Sequence, residues 1–234
     1  MNPSVTIDIA DGIARIGMDD GKVNAMSTNL MNQLSAALDA AEAADAVVVL
    51  SGREGIFSAG FDLRTFDRGA EAGFEMVHTG AQLIVRLLSF PLPILTVCTG
   101  HAYPMGAFLM MSADSRIGID GPWRIGMNEV AIGLTVPKFA VELARHRLTA
   151  PGLACVNVAA MHAPLDAMRL GYLDRVVAPE KLAECIDEEA TRLRTLDIGS
   201  FRGTKARINQ PALTAITAAI EDEYGATNNT MTGS

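Results

Sequence analysis

SGREGIFSAGFDL, residues 51–63, follows the apolar run AVVVL and holds three glycines, Gly52, Gly55 and Gly60. Its second half, Ile56 to Phe61, is more apolar than an ordinary connecting loop, whose backbone groups normally reach for water. The run Ala46–Leu50 before it reads as a strand buried on both faces. A glycine-rich, apolar turn at the end of a buried strand is a place where the backbone itself can be the working part.

The arrangement recurs downstream. Ile94–Cys98 (ILTVC) reads as a second buried strand, separated from the preceding helix by Pro91 and Pro93. It leads to Pro104-Met105-Gly106 and straight into an apolar helix. A helix start exposes unpaired N–H groups at the positive end of a dipole, and Gly106 lets a ligand approach closely. Two backbone donors, one from each turn, can hold one carbonyl oxygen. Two glycines that merely serve tight turns would account for the same residues.

Working outward, residues 4–9 and 13–18 alternate around Asp11-Gly12, a hairpin signature. Residues 27–44 put Leu30, Leu34, Ala37, Leu38 and Ala41 on one helical face, with Ser27 as cap. Residues 70–89 do the same with Phe74, Val77, Ala81, Ile84 and Leu88. A helix is predicted from Gly106 to about Ser112, then a strand near 114–119. Helices are predicted over 137–147, 149–160, 164–170 and 180–195, with a short strand over 173–177. The region 200–224 reads as helix broken near Asn209-Gln210-Pro211, and the polar tail is expected to fray. Strands dominate the first half and helices the second, which implies an α/β core with a helical C-terminal part.

The 234 residues are 49% hydrophobic and 20% charged, enough to fill the core of one large domain or a domain plus a small appendage. A net charge of −8 without a basic cluster argues against nucleic acid as a partner. Cys98, Cys155 and Cys185 are odd in number and lack metal-like spacing, so they read as reduced thiols of a cytoplasmic protein. The opening MNPSVTIDIADG lacks the basic flank and apolar core of a secretory signal, and no apolar run is long enough to span a bilayer, so no membrane partner is expected. His78, His146 and His162 show no H-E-x-x-H pattern, so no metal is expected. Ser58 lacks a G-x-S-x-G setting, and neither phosphate-loop signature occurs.

Three stretches taken together resemble the crotonase superfamily of enoyl-CoA hydratases and isomerases. They are FSAGFDL at 57–63, PMGAFLMMSADSRIG at 104–118 and GMNEVAIGL at 126–134, in register over residues 5 to about 195. The resemblance implies an α/β fold, a crotonase-like β-β-α spiral core over 1–195. A C-terminal helical region over 196–225 would serve trimerisation and 226–234 would be a flexible tail. It implies a homotrimer or hexamer acting on acyl-CoA thioesters, with CoA as part of the substrate and no separate cofactor. Carried over residue by residue, the two oxyanion donors fall on Phe61 and Gly106. Ala59 falls where a backbone carbonyl meets the adenine, and Lys22-Val23-Asn24-Ala25-Met26 looks like the loop touching pantetheine or nucleotide. Gly60, Asp62 and Leu63 would complete the substrate channel beside Phe61.

The chain departs from the family pattern at one carboxylate. Hydratases of the family carry two glutamates; the first falls here on Leu109 and the second on Glu129. Adding water to a double bond takes a held water and a delivered proton, work that two carboxylates share. Moving a double bond takes one base, which removes a proton from C2 of a 3-enoyl thioester and returns it at C4. Leu109 would line the site and keep water out. The string GMNEVAIGL looks most like the 3,2-enoyl-CoA isomerases that keep only this glutamate. The expectation is therefore an isomerase with Glu129 as base and acid. Hydration, thioester hydrolysis, decarboxylation and non-catalytic acyl-CoA binding stand as alternatives. Ile125, Met127, Val130, Ile132 and Leu134 around Glu129 predict an apolar setting that raises its pKa.

Overall fold

The computed structural model describes residues 3–231. Val5–Ala10 (β1) and Ile13–Met18 (β2) pair antiparallel, and Thr28–Ala43 (α1) follows. The hairpin turn places Asp11 and Gly12 at φ of 52° and 71°, the left-handed pair that a two-residue turn requires. Ser27 caps α1 by accepting from Leu30 N–H. Next come Val47–Ser51 (β3), Gly55–Ser58 (β4) and Ala70–Ser89 (α2), then Ile94–Cys98 (β5), Gly100–Ala102 (β6) and Pro104–Met111 (α3). Ser115–Ile119 (β7), Ile125–Gly126 (β8) and Lys138–Arg147 (α4) repeat the order strand, strand, helix. The chain closes with Ala150–Val156 (α5), Met161–His162 (β9), Pro164–Leu170 (α6), Arg175–Val177 (β10), Leu182–Arg194 (α7) and Ile198–Met231 (α8).

From β3 onward the first strand of each round joins one sheet and the second joins another. The larger sheet has the order β1-β2-β3-β5-β7-β10 and the smaller one β4-β6-β8-β9. This is the β-β-α spiral. The larger sheet is covered on both faces, and its alternation explains the continuous apolar runs. Val47 and Val49 of β3 pack with Leu95, Ile117 and Leu193 on one face, whereas Val48 and Leu50 join the main core with α1 and α2. Every residue of α3 is buried, so this helix starts and ends inside the molecule.

Several expectations change here. The stretch 51–63 is not all turn: β4 occupies Gly55–Ser58 and pairs parallel with β6. The predicted helix over 149–160 ends at Val156, because Met161–His162 crosses to the smaller sheet and pairs with β8. Strands of two or three residues leave no readable periodicity. The predicted break at Asn209–Pro211 is absent, and α8 runs through Pro211 to Met231. An interior proline removes a hydrogen bond and typically costs about 3 kcal/mol or more. Burial offsets it, since Ala212, Ile216, Ile220 and Tyr224 join the main core. Asn209 Nδ2 also donates to Leu88 O at 2.8 Å, and Lys205 Nζ meets Asp114 at 2.7 Å. The boundary expected at 195/196 falls in the short link between α7 and α8. Of the expected tail, residues 226–231 belong to α8, and 232–234 lie outside the described residues.

Candidate active site

The backbone around Phe61 is held from one side only. Met26 N–H donates to Gly60 O at 2.8 Å and Asp62 N–H donates to Met26 O at 3.2 Å, a one-residue parallel bridge. The groups flanking Phe61 are used by this bridge, so its own N–H points the other way. Gly60 sits at φ +90°, and a Cβ there would lie 3.5 Å from Pro104 N. The start of α3 is therefore the neighbour across that gap.

The start of α3 is built to leave amides free. Tyr103 N–H donates to Ser58 O, and Ala107 N–H donates to Tyr103 O. Pro104, at the first turn, has no N–H to give. Met105 and Gly106 then carry first-turn amides, which have no carbonyl one turn earlier in the helix. Gly106 is needed here for a different close approach from the one expected. A Cβ on it would meet Ser58 Cβ at 2.9 Å and Ser58 O at 3.2 Å, not a ligand.

Glu129 opens the short 3₁₀ turn Glu129–Ile132 that follows β8. Its side chain is 6% exposed, and neither carboxylate oxygen has a hydrogen-bond partner. Burial pushes its pKa up to about 7. Asn128 gives the turn no side-chain cap, so capping does not account for this acid. Phe61, Pro104 and Glu129 line one cavity of about 320 Å³, with Leu63, Ile132 and Tyr224 among its apolar walls. A larger groove of about 680 Å³ runs along α8 but gathers no unpartnered buried acid. Among the described residues no three His, Cys, Asp or Glu side chains converge as metal ligands.

The other sequence-derived candidates separate into two groups. Ala59, Gly60 and Leu63 line the cavity. Lys22 is exposed, and Ala25 is half-buried with its N–H donated to Asp20. Met26 is fully buried at the bridge to Phe61. Asp62 is not among the residues lining the cavity; it caps the 3₁₀ turn Leu63–Arg68, and the Arg64 guanidinium holds its carboxyl below the usual range. Leu109 is fully buried within α3 and is not among the residues lining the cavity. Tyr103 borders the cavity, whereas His101 sits in β6 and its Nδ1 accepts from Arg124 N–H.

Asn24 organises the loop from inside. It is fully buried at φ 51°, and its Nδ2 donates to Met18 O and Phe57 O while its Oδ1 accepts from Asp20 N–H. Asn24→Ala is expected to lower stability by about 2–4 kcal/mol, because two buried carbonyls lose their donor. Urea unfolding checks this, and an unchanged midpoint would remove Asn24 from the scaffold.

Sequence reading missed Phe66, Val77, Pro137, Glu223 and Tyr224 in the cavity wall. Glu223 and Tyr224 arrive from the far end of the chain on α8, and nothing local marks them. Phe66 did carry a signal, in the Gly73 opposite its ring.

The enoyl-CoA hydratase/isomerase family model matches residues 8–232. The chain belongs to the enoyl-CoA hydratase/isomerase family. An enoyl-CoA hydratase/isomerase family protein from Pseudomonas syringae is 40% identical, covers 94% of this chain and 96% of its own, and superposes with a TM-score of 0.92. A probable enoyl-CoA hydratase of Bacillus subtilis is 27% identical over 79% of this chain and 72% of its own length. The human mitochondrial enoyl-CoA delta isomerase 1 is 26% identical over 75% of this chain, which spans 60% of that relative. Relatives of both descriptions thus match to a similar degree. The family places this chain among the crotonase-type enzymes and leaves hydration and isomerisation to be separated by the site itself.

Proposed function

We propose that the protein converts 3-enoyl-CoA to 2-enoyl-CoA, with Glu129 as the single proton carrier and the Phe61 and Gly106 amides as the oxyanion hole. The observation that carries the reading is the Glu129 carboxylate, buried, without a partner and in one cavity with Phe61. The thioester oxygen accepts from the two amides. Glu129 takes the proton from C2, and the electron pair moves through the carbonyl carbon onto oxygen. The resulting dienolate takes the same proton back at C4, and the double bond ends between C2 and C3. No atom is gained or lost, so no second acid is required. With leucine at 109, the position of the family's other glutamate offers nothing to hold a water. Ala59, Gly60 and Leu63 would contact the acyl-CoA, whose CoA part enters as substrate. The same reading extends to a homotrimer or hexamer, to be checked by sedimentation.

Hydration is the second reading, favoured by the hydratase descriptions of relatives such as the B. subtilis protein. Purified protein offered a 3-enoyl-CoA and, separately, a 2-enoyl-CoA separates the two. Conjugation followed at the thioester absorbance supports isomerisation; formation of 3-hydroxyacyl-CoA without conjugation overturns it.

The pH profile is a further test. Glu129 must be ionised to take the C2 proton, and its pKa is raised to about 7. kcat/KM for isomerisation is expected to rise with pH, with an apparent pKa near 7, and to level off above it. A flat profile between pH 5 and 8 would assign the proton transfer to another group.

A further inference from the structure

We propose that Gly80 on α2 is a positioning residue that sets the separation of the Phe61 and Gly106 amides; this rests on the oxyanion role proposed above. Helix α2 carries two buried glycines on one face, Gly73 and Gly80, seven residues and so two turns apart. Each is the seat of a phenylalanine from the segment after β4. A Cβ on Gly73 would lie 2.4 Å from Phe66 Cδ1. A Cβ on Gly80 would lie 2.7 Å from Phe61 Cε1, 2.8 Å from its Cζ and 3.3 Å from Met105 Sδ.

Gly80 is thus touched by both turns at once. The ring of Phe61 belongs to the residue that carries the first amide, and the Met105 thioether belongs to the residue before the second. The backbones of the two turns also meet, at Gly60 against Pro104, at Gly106 against Ser58 and through Tyr103 N–H donating to Ser58 O. Backbone contacts at Gly60, Ser58, Pro104 and Gly106 fix one side of the spacing, and the side chains of Phe61 and Met105, side by side on the bare surface of Gly80, fix the other. Any side chain at 80 would wedge between them. Gly80 is not itself among the residues lining the cavity, whereas Phe61 is, so it acts through its neighbours. A productive oxyanion site tolerates errors of only about 0.5 Å, and misplacement of about 1 Å can cost about 10²-fold in rate.

Gly80→Ala tests this in two ways. In ligand-free crystal structures of the wild-type protein and the variant, the Phe61 N to Gly106 N separation is expected to change by about 0.5 Å or more. This measurement needs no turnover, so it decides the assignment even if the proposed reaction fails. In kinetics, kcat is expected to fall about 10- to 100-fold with KM changed less than about 3-fold. Phe61→Leu removes the two ring atoms that the new Cβ meets. In that background Gly80→Ala is expected to change kcat less than about 3-fold, the non-additivity of residues in contact. Gly203→Ala, where a Cβ meets nothing within 4 Å, is the control and leaves kcat unchanged. An unchanged amide separation, a wild-type kcat, or additive losses in the double variant would overturn the proposal.

Discussion

Glu129→Gln is expected to lower kcat by about 10²–10⁴-fold and, at the same time, to make the fold more stable in alkaline solution. The two effects have one cause. The carboxylate lies in an apolar site with no donor to either oxygen, and burial raises its pKa from 4.5 to about 7. An acid whose pKa is raised on folding binds its proton more tightly in the native state. Its contribution is therefore neutral below the unfolded value, becomes a penalty that grows as pH climbs from the unfolded to the folded value, and levels off above it. At pH 8 the ionised group destabilises the native state by on the order of 3 kcal/mol; at pH 5 the penalty is under about 1 kcal/mol. Glutamine cannot ionise, so it removes the pH-dependent part and leaves only a pH-independent packing change. Urea unfolding of both proteins at pH 5 and pH 8 isolates that difference. A variant that keeps wild-type turnover would remove Glu129 from the chemistry, and a stability gap that does not widen with pH would mean that the carboxylate is solvated.

Gly106→Ala is the second large effect expected, about 10²–10³-fold in kcat, the scale for losing one oxyanion donor. The new methyl group would sit 2.9 Å from Ser58 Cβ and 3.2 Å from Ser58 O. Ser58 cannot yield easily. Its Oγ donates to Asn24 O at 2.7 Å and accepts from Gly60 N–H at 3.1 Å, while its carbonyl accepts from Tyr103 N–H. The start of α3 must move instead, and with it the amide at 106. Overpacking of this kind also costs about 1–3 kcal/mol of stability. Steady-state kinetics beside a thermal melt separates the two losses. Wild-type kcat in a folded Gly106→Ala protein would mean that this amide takes no part in the reaction.

Much of the fold was legible because it rests on local rules. The hairpin at Asp11-Gly12, the cap at Ser27 and the stop at Pro91 and Pro93 are each set by a few neighbouring residues. The buried strands β3 and β5 announce themselves as unbroken apolar runs, since both faces of the larger sheet are covered. The smaller sheet stayed hidden. Its strands have two to four residues, too few for a period to register, and each pairs with a strand remote in sequence, as Gly55 does with Gly100 and Ala102 with Ile125. Pro211 misled for the opposite reason. The local rule was right about the lost hydrogen bond but took no account of the apolar face that α8 buries beyond it.

The site divides in the same way. Phe61, Gly106 and Glu129 are candidates through the family resemblance, since their surroundings in the chain fit tight turns and a helix start equally well. Their residue types and the strand or helix ends that carry them are local properties, and these the amino-acid order determined by itself. Tertiary structure decided that Phe61 and Glu129 share one cavity, that α8 returns Tyr224 to its wall, and that Gly80 receives a ring from one turn and a thioether from the other. It also decided the protonation of Glu129, because a carboxyl group's pKa depends on what surrounds it in space. Burial and close approach are properties of the packed chain, and no short stretch of residues contains them.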